Sequence, residues 1–146
     1  MQQAAALPVK RDGSRLRVLL VTSRQDGRWI LPKGKVEDDE SPSEGAAREA
    51  FEEAGIKGRA GDAPLGTYRY LKQVEEHRAI SSTVTVFPML VRKELQKWPE
   101  AKERKRRWFP LKTAAEKVGD RELGLLLKRF SGSGTRALRE ILDELD

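Results

Sequence analysis

Three carboxylates, Glu49, Glu52 and Glu53, stand at i, i+3 and i+4 in the run REAFEEAG. On a helix that spacing brings side chains onto neighbouring surface. Unpaired, such like charges destabilise a helix by a few tenths of a kcal/mol per pair, so they are either hydrated or neutralised by a cation. Hard oxygen donors at this spacing suit Mg²⁺, with Mn²⁺ the alternative. Arg48, beside Glu49 and four residues before Glu52, can orient a carboxylate through a charge-assisted hydrogen bond. An ordinary exposed helix with an Arg/Glu pair has the same local pattern.

The elements that would position these residues follow from the neighbouring chain. Ser41-Pro42-Ser43-Glu44 opens a helix, with Ser41 as N-cap, Pro42 in the first helical position and Glu44 completing a capping box. Ala47, Ala50, Phe51 and Ala54 recur at i, i+3, i+4 and i+7 as the stripe facing a sheet, with the glutamates expected on the opposite face. Gly55 suits the left-handed residue that ends such a helix. Before it, Gln3–Val9 and Leu16–Ser23 read as strands joined by a turn at Asp12-Gly13-Ser14, and Trp29–Leu31 as a brief extended piece. Pro32-Lys33-Gly34-Lys35 is expected to be loop. After the helix, Gly66–Leu71, Ser81–Arg92 and Arg104–Pro110 read as strands, and Leu111–Val118 and Arg121–Phe130 as helices. A flexible link, Ser131-Gly132-Ser133-Gly134, would lead to a last amphipathic helix marked by Leu138, Ile141, Leu142 and Leu145.

Length and composition bound the possibilities. The 146 residues suffice for one core and are too few for two ordinary domains. Without cysteine there are no disulfides, thiolate metal sites or cysteine nucleophiles. Neither a leader nor a long apolar run is visible, so no membrane partner is expected and the cytoplasm is the default compartment. The formal charge of +6 is unevenly spread: residues 34–56 carry −6 and the remainder +12. Carboxylates that hold metal, surrounded by cations that receive an anionic substrate, would give this distribution.

The whole stretch GKVEDDESPSEGAAREAFEEAGI, residues 34–56, resembles the Nudix signature Gx5Ex7REUxEExGU, where U is a bulky aliphatic. Gly34, Glu40, Arg48, Glu49, Glu52, Glu53, Gly55 and Ile56 fall in place, and Ala50 departs from the larger residue preferred there. The resemblance implies an α/β fold, an α/β/α sandwich with a mixed β-sheet and a loop-helix-loop catalytic motif. It would occupy residues 1–130, with 131–146 a short linker and C-terminal helix. It also implies an Mg²⁺-dependent pyrophosphohydrolase in which Glu49, Glu52 and Glu53 bind metal, joined by the main-chain carbonyl of Lys33. Gly34, Glu40, Arg48 and Gly55 would hold the motif in shape. Cations would neutralise the polyphosphate, and Glu49 or a glutamate from another loop could accept a proton from water.

Beyond that box, VLLVTSRQDGRWILPKGK, EEAGIKGRAG and KRRWFPLKTA are similar to the diphosphoinositol polyphosphate and diadenosine polyphosphate phosphohydrolases. That likeness places Ser23, Arg24 and Arg28 against phosphate, with His77 and Arg78 on a loop over the site. Pro-Lys-Gly-Lys, rather than Pro-Gly-Gly-Gly, adds Lys33 and Lys35 to the substrate-binding set and resembles the diadenosine polyphosphate hydrolases. Gln2 and Gln3 stand where the inositide enzymes carry basic residues. The expected partner is a small-molecule polyphosphate, first a dinucleoside polyphosphate, then a diphosphoinositol polyphosphate, for a monomer or homodimer. Other readings are cleavage of oxidised nucleoside triphosphates, action on RNA 5′ ends, and a non-enzymatic polyanion or RNA module. Lys102–Arg107, with five cations in six residues, reads as a charged strand edge more than a nucleic-acid surface. Trp29 and Trp108 are expected in the core.

Overall fold

The computed structural model describes residues 2–146. Its chain order is β1 (Gln2–Asp12), β2 (Arg15–Thr22), β3 (Trp29–Ile30), β4 (Lys33–Lys35), α1 (Pro42–Ala54), β5 (Ile56–Ala60), β6 (Gly66–Glu75), β7 (Arg78–Glu94), β8 (Arg106–Pro110), α2 (Leu111–Lys117), α3 (Arg121–Phe130) and α4 (Thr135–Leu145). All eight strands join one mixed sheet, with β3-β2-β1-β7-β5 as its main path. β1 runs parallel to β7 and antiparallel to both β2 and β4.

β1 shows why this sheet is central. Ala4 through Val9 are buried at every position, so both faces of the strand are covered and side-chain alternation disappears. Helix α1 packs on β1, while α3 lies against β6 and α4 against β7. Pro8 fits within so buried a strand because of where the pairing changes partner. Ala6 N–H donates to Pro32 O at 3.1 Å. The nitrogen two residues later faces the same side, in the interval between β4, which pairs with residues 3–5, and β2, which pairs with residues 9–12. No ladder bond on that side is lost to the missing N–H.

Several expectations change. Lys33–Lys35 is strand rather than loop, with Ala4 opposite Gly34; Pro32 precedes the strand and contributes only its carbonyl, so neither breaker residue stops pairing. β6 and β7 form a longer hairpin than their apolar stretches indicated, and β5 is an additional strand. The sixteen residues from Ser131 are not tethered loosely: Gly134 N–H donates to Arg129 O at 2.8 Å and the Thr135 hydroxyl to Phe130 O at 2.6 Å. This tight turn lets α4 bury Leu138 and Leu142 completely. Trp29 and Trp108 are partly buried against the core, Trp29 meeting Phe109 edge to face at 5.1 Å. Among the described residues no helix is long and apolar enough to cross a membrane.

Candidate active site

The residues at the start of α1 fix the helix locally. Ser41 accepts from the Glu44 amide at 3.2 Å, and the Glu44 carboxylate accepts from the Ser41 amide at 2.8 Å. The buried stripe is Ala46, Ala50 and Ala54 rather than one running through Ala47 and Phe51, which are only partly covered. At about 100° per residue, this rotation places Glu53 beside the stripe and Glu49 on its flank. The two carboxylates therefore lie inward, with residue exposures of 5% for Glu53 and 9% for Glu49. Glu52 is turned further out and remains half-exposed.

Glu49 and Glu53 form part of the wall of a cleft of about 470 Å³. Gly34 opens the space for one of them: a Cβ at that position would overlap the Glu49 carboxylate. The Glu53 carboxylate accepts from the Lys33 amide at 3.2 Å and meets the Arg104 guanidinium at 3.4 Å. Burial pushes the Glu53 carboxyl up to about 8, with Arg104 pulling down and Glu49 adding to the rise. Burial also raises Glu49, against the opposing pull of Arg48. Lys33 shows the complementary effect, since burial lowers its ammonium to about 8 while Glu53 acts the other way. Its Nζ lies 3.4 Å from the centre of the Tyr70 ring.

Arg48 braces the loop ahead of the helix. It donates to both Glu40 oxygens, at 2.7 and 3.0 Å, to Glu52 at 3.2 Å, to Glu49 at 3.3 Å, and to the Lys35 carbonyl at 3.0 Å. The Arg48 hydrogen bond holds Glu40 below the usual carboxylate range. Glu40 also accepts from the Glu37 amide at 2.9 Å. Gly55 closes the helix at φ 66°, ψ 37°, a left-handed conformation.

The residues expected around substrate divide between locations. Ser23, Arg24, Lys33 and Gly34 line the cleft. Ser23 is also committed to a turn, donating to Asp26 and accepting from the Arg28 amide at 3.2 Å. Arg24 is exposed and lies 3.7 Å from Glu103. The Lys35 side chain is exposed outside the cleft wall. Arg28 lines a separate depression, donating to buried Asp120 at 3.2 Å with its guanidinium over Tyr70 at 5.1 Å. His77 and Arg78 sit at the turn of the β6–β7 hairpin beyond the cleft wall, which instead uses Tyr70, Lys72, Val74, Ile80 and Ser82 from the hairpin stem.

Sequence reasoning missed Arg104 and Glu100. Both line the cleft, joined at 2.8 Å, and Arg104 is almost fully buried. Arg104 was concealed within the basic run of residues 102–107. There, Arg106 also turns inward, toward Ala54 O and Leu95 O at 2.8 and 2.6 Å, so that run is not a uniformly solvated edge.

Among the described residues, no group of three or more acidic, histidine or cysteine side chains is gathered closely enough to enclose a metal. Glu49 and Glu53 come together, whereas Glu52 turns toward Arg48. The donor set still suits a hard divalent cation: two buried carboxylates one helical turn apart, in space kept open by Gly34. Cations on the remaining wall leave the cleft suited to an anionic ligand.

Comparison with known proteins gives this geometry a context. The NUDIX domain model matches residues 1–130. Nudix hydrolase 12, mitochondrial, of Arabidopsis thaliana is 42% identical over 113 residues, covering 70% of this chain and 52% of that protein. Diphosphoinositol polyphosphate phosphohydrolase 3-beta of Bos taurus is 38% identical over 100 residues, covering 66% of this chain and 57% of that protein. The chain thus spans about half the length of the curated relatives it matches. A crystal structure of a Caenorhabditis elegans Ap4A hydrolase binary complex aligns with a TM-score of 0.67 at 21% identity, covering 92% of this chain and 97% of the other, a likeness of fold.

Proposed function

Because this chain belongs to the NUDIX domain family, we propose that it hydrolyses a phosphoanhydride bond in a small polyphosphorylated metabolite, using Mg²⁺ or Mn²⁺. The observation carrying this reading is the meeting of two buried carboxylates, Glu49 and Glu53, with Lys33, Lys72 and Arg104 around one cleft. Glu49 and Glu53 would hold the cation, with the Lys33 carbonyl and Glu52 as further candidate oxygen donors. When bound, the cation neutralises phosphate oxygens and lowers the pKa of coordinated water.

The protein's own groups have separate tasks. Arg104 and the Lys33 amide fix the Glu53 carboxylate, while Arg48 and Gly34 set the position of Glu49. Lys72 and Arg24 supply positive charge along the cleft, where phosphate charge must be neutralised as the anhydride bond breaks. Glu49 and Glu100 are the carboxylates available to take the water's proton. A long phosphate chain suits this line of cations, and dinucleoside polyphosphates are the leading substrate class. Diphosphoinositol polyphosphates are the second, supported by the bovine relative's name at 38% identity.

Purified protein tested against dinucleoside polyphosphates, diphosphoinositol polyphosphates and oxidised nucleoside triphosphates, with phosphate-resolved product analysis, addresses activity and class together. Metal-dependent cleavage of an internal anhydride in one class is expected. Failure to cleave all of them with either cation would overturn the hydrolase reading.

A further inference from the structure

The last turn of α1 is completed by a segment about fifty residues away. A helix leaves its final carbonyls without intrahelical partners, and here successive carbonyls receive donors from residues 95–106. Glu52 O accepts from the Glu100 amide at 3.0 Å, and Glu53 O from the Trp98 indole N–H at 3.0 Å. Ala54 O accepts from Arg106 at 2.8 Å, and Gly55 O from the Leu95 amide at 2.7 Å. The Trp98 ring packs so closely on Gly55 that a Cβ there would lie 2.6 Å from a ring atom. Arg106 covers the ring at 3.9 Å. The same segment delivers Arg104 to the Glu53 carboxylate.

Glu53 is thus held at both ends by one stretch of chain: its carbonyl by Trp98 and its carboxylate by Arg104. We infer that Trp98 is a positioning residue for the proposed hydrolysis: by anchoring the Glu53 carbonyl it sets the rotation of the last turn of α1, and therefore where the Glu49 and Glu53 carboxylates meet the cation. With side-chain tips about 5–6 Å from a helix axis, a rotation of about 10° moves them by about 1 Å. Functional groups must be held within about 0.5 Å, so a small loss of restraint is sufficient to affect the cation. Trp98 itself lies outside the cleft lining and acts through the helix.

This inference rests on the proposed metal-dependent reaction, and its test separates the two. Mg²⁺ binding without substrate is measured by calorimetry for wild type, Trp98→Phe, Arg106→Lys and Leu142→Ala, alongside melting curves and kinetics at saturating Mg²⁺. Trp98→Phe keeps a ring but removes the N–H; Arg106→Lys loosens the same clamp if the first variant does not fold. Leu142→Ala weakens the remote packing of α4. Each clamp variant is expected to raise the Mg²⁺ dissociation constant about 10-fold, in the range for supports of metal ligands, and to lower kcat with KM changed less than about twofold. Leu142→Ala should melt earlier with unchanged Mg²⁺ affinity. Folded clamp variants that bind Mg²⁺ like wild type would overturn the inference alone, as would an equal affinity loss in Leu142→Ala. A wild-type protein that binds neither Mg²⁺ nor Mn²⁺ would overturn the hydrolase reading as well.

Discussion

The two ends of α1 are secured by different physics. At its beginning, Ser41 and Glu44 exchange hydrogen bonds across three residues, so the cap is local. At its end, Glu52, Glu53, Ala54 and Gly55 depend on donors between residues 95 and 106. The structural start can therefore form from nearby sequence, while the end nearest the chemistry needs tertiary assembly. Stability at the first end and cation placement at the second should consequently respond to different substitutions.

The sharpest attack on this contrast is Glu53→Gln, which removes a charged oxygen donor with little change in volume. Turnover should fall about 10³-fold, comparable with loss of a preorganised electrostatic contact, while a cooperative melt persists. Near-normal turnover would sink the assignment of Glu53.

A pH experiment sharpens the same end. Burial raises the Glu53 carboxyl from its ordinary 4.5 to about 8. Its contribution to stability is fully present below 4.5 and is lost as pH rises through about 8. Urea melts of metal-free protein should show this contribution falling from pH 5 to 8, and the stabilisation by Mg²⁺ growing over that interval as a proton is displaced. Glu53→Gln should flatten the dependence; an unchanged slope would remove Glu53 as its source.

Gly34→Ala tests the space beside Glu49. The added methyl must displace that carboxylate or the strand, at about 1–3 kcal/mol of stability, and Mg²⁺ affinity should drop with it. Unchanged melting and calorimetry would show that the apparent close approach is easily relieved. The smallest effect belongs to Ser41→Ala. Loss of this N-cap should cost about 1 kcal/mol in denaturant melts, without changing the Mg²⁺ dissociation constant. A large affinity change there would erase the distinction between the helix ends.

The local start of α1 was also the part readable from sequence. Ser41, Pro42 and Glu44, like Gly55 at the opposite end, obey rules spanning only a few residues, and the motif across residues 34–56 identified the segment. The helix rotation was misread because tracing apolar residues alone favours Ala47 and Phe51. In the fold, Glu49 and Glu53 occupy part of the inward side and share it with Ala46, Ala50 and Ala54. Pro32 and Gly34 suggested a loop because β4 is only three residues long and pairs with a distant strand. Arg104 and Trp98 were hidden for a similar reason: their roles depend on Glu53, 51 and 45 positions away. Charge counting detects the basic run around Arg104 but not which side chains turn inward.

The parallel pairing of β1 with β7 has a consequence for the order in which the molecule assembles. Ala4 faces Thr85 across that ladder, so a newly synthesised β1 waits for roughly eighty residues, on the order of 4–16 s at ordinary translation speeds. During that interval an apolar strand has an edge available to other nascent chains. Pro8 interrupts the donors only on the opposite edge, towards β4 and β2, so the edge that awaits β7 keeps its full run of donors until that strand emerges.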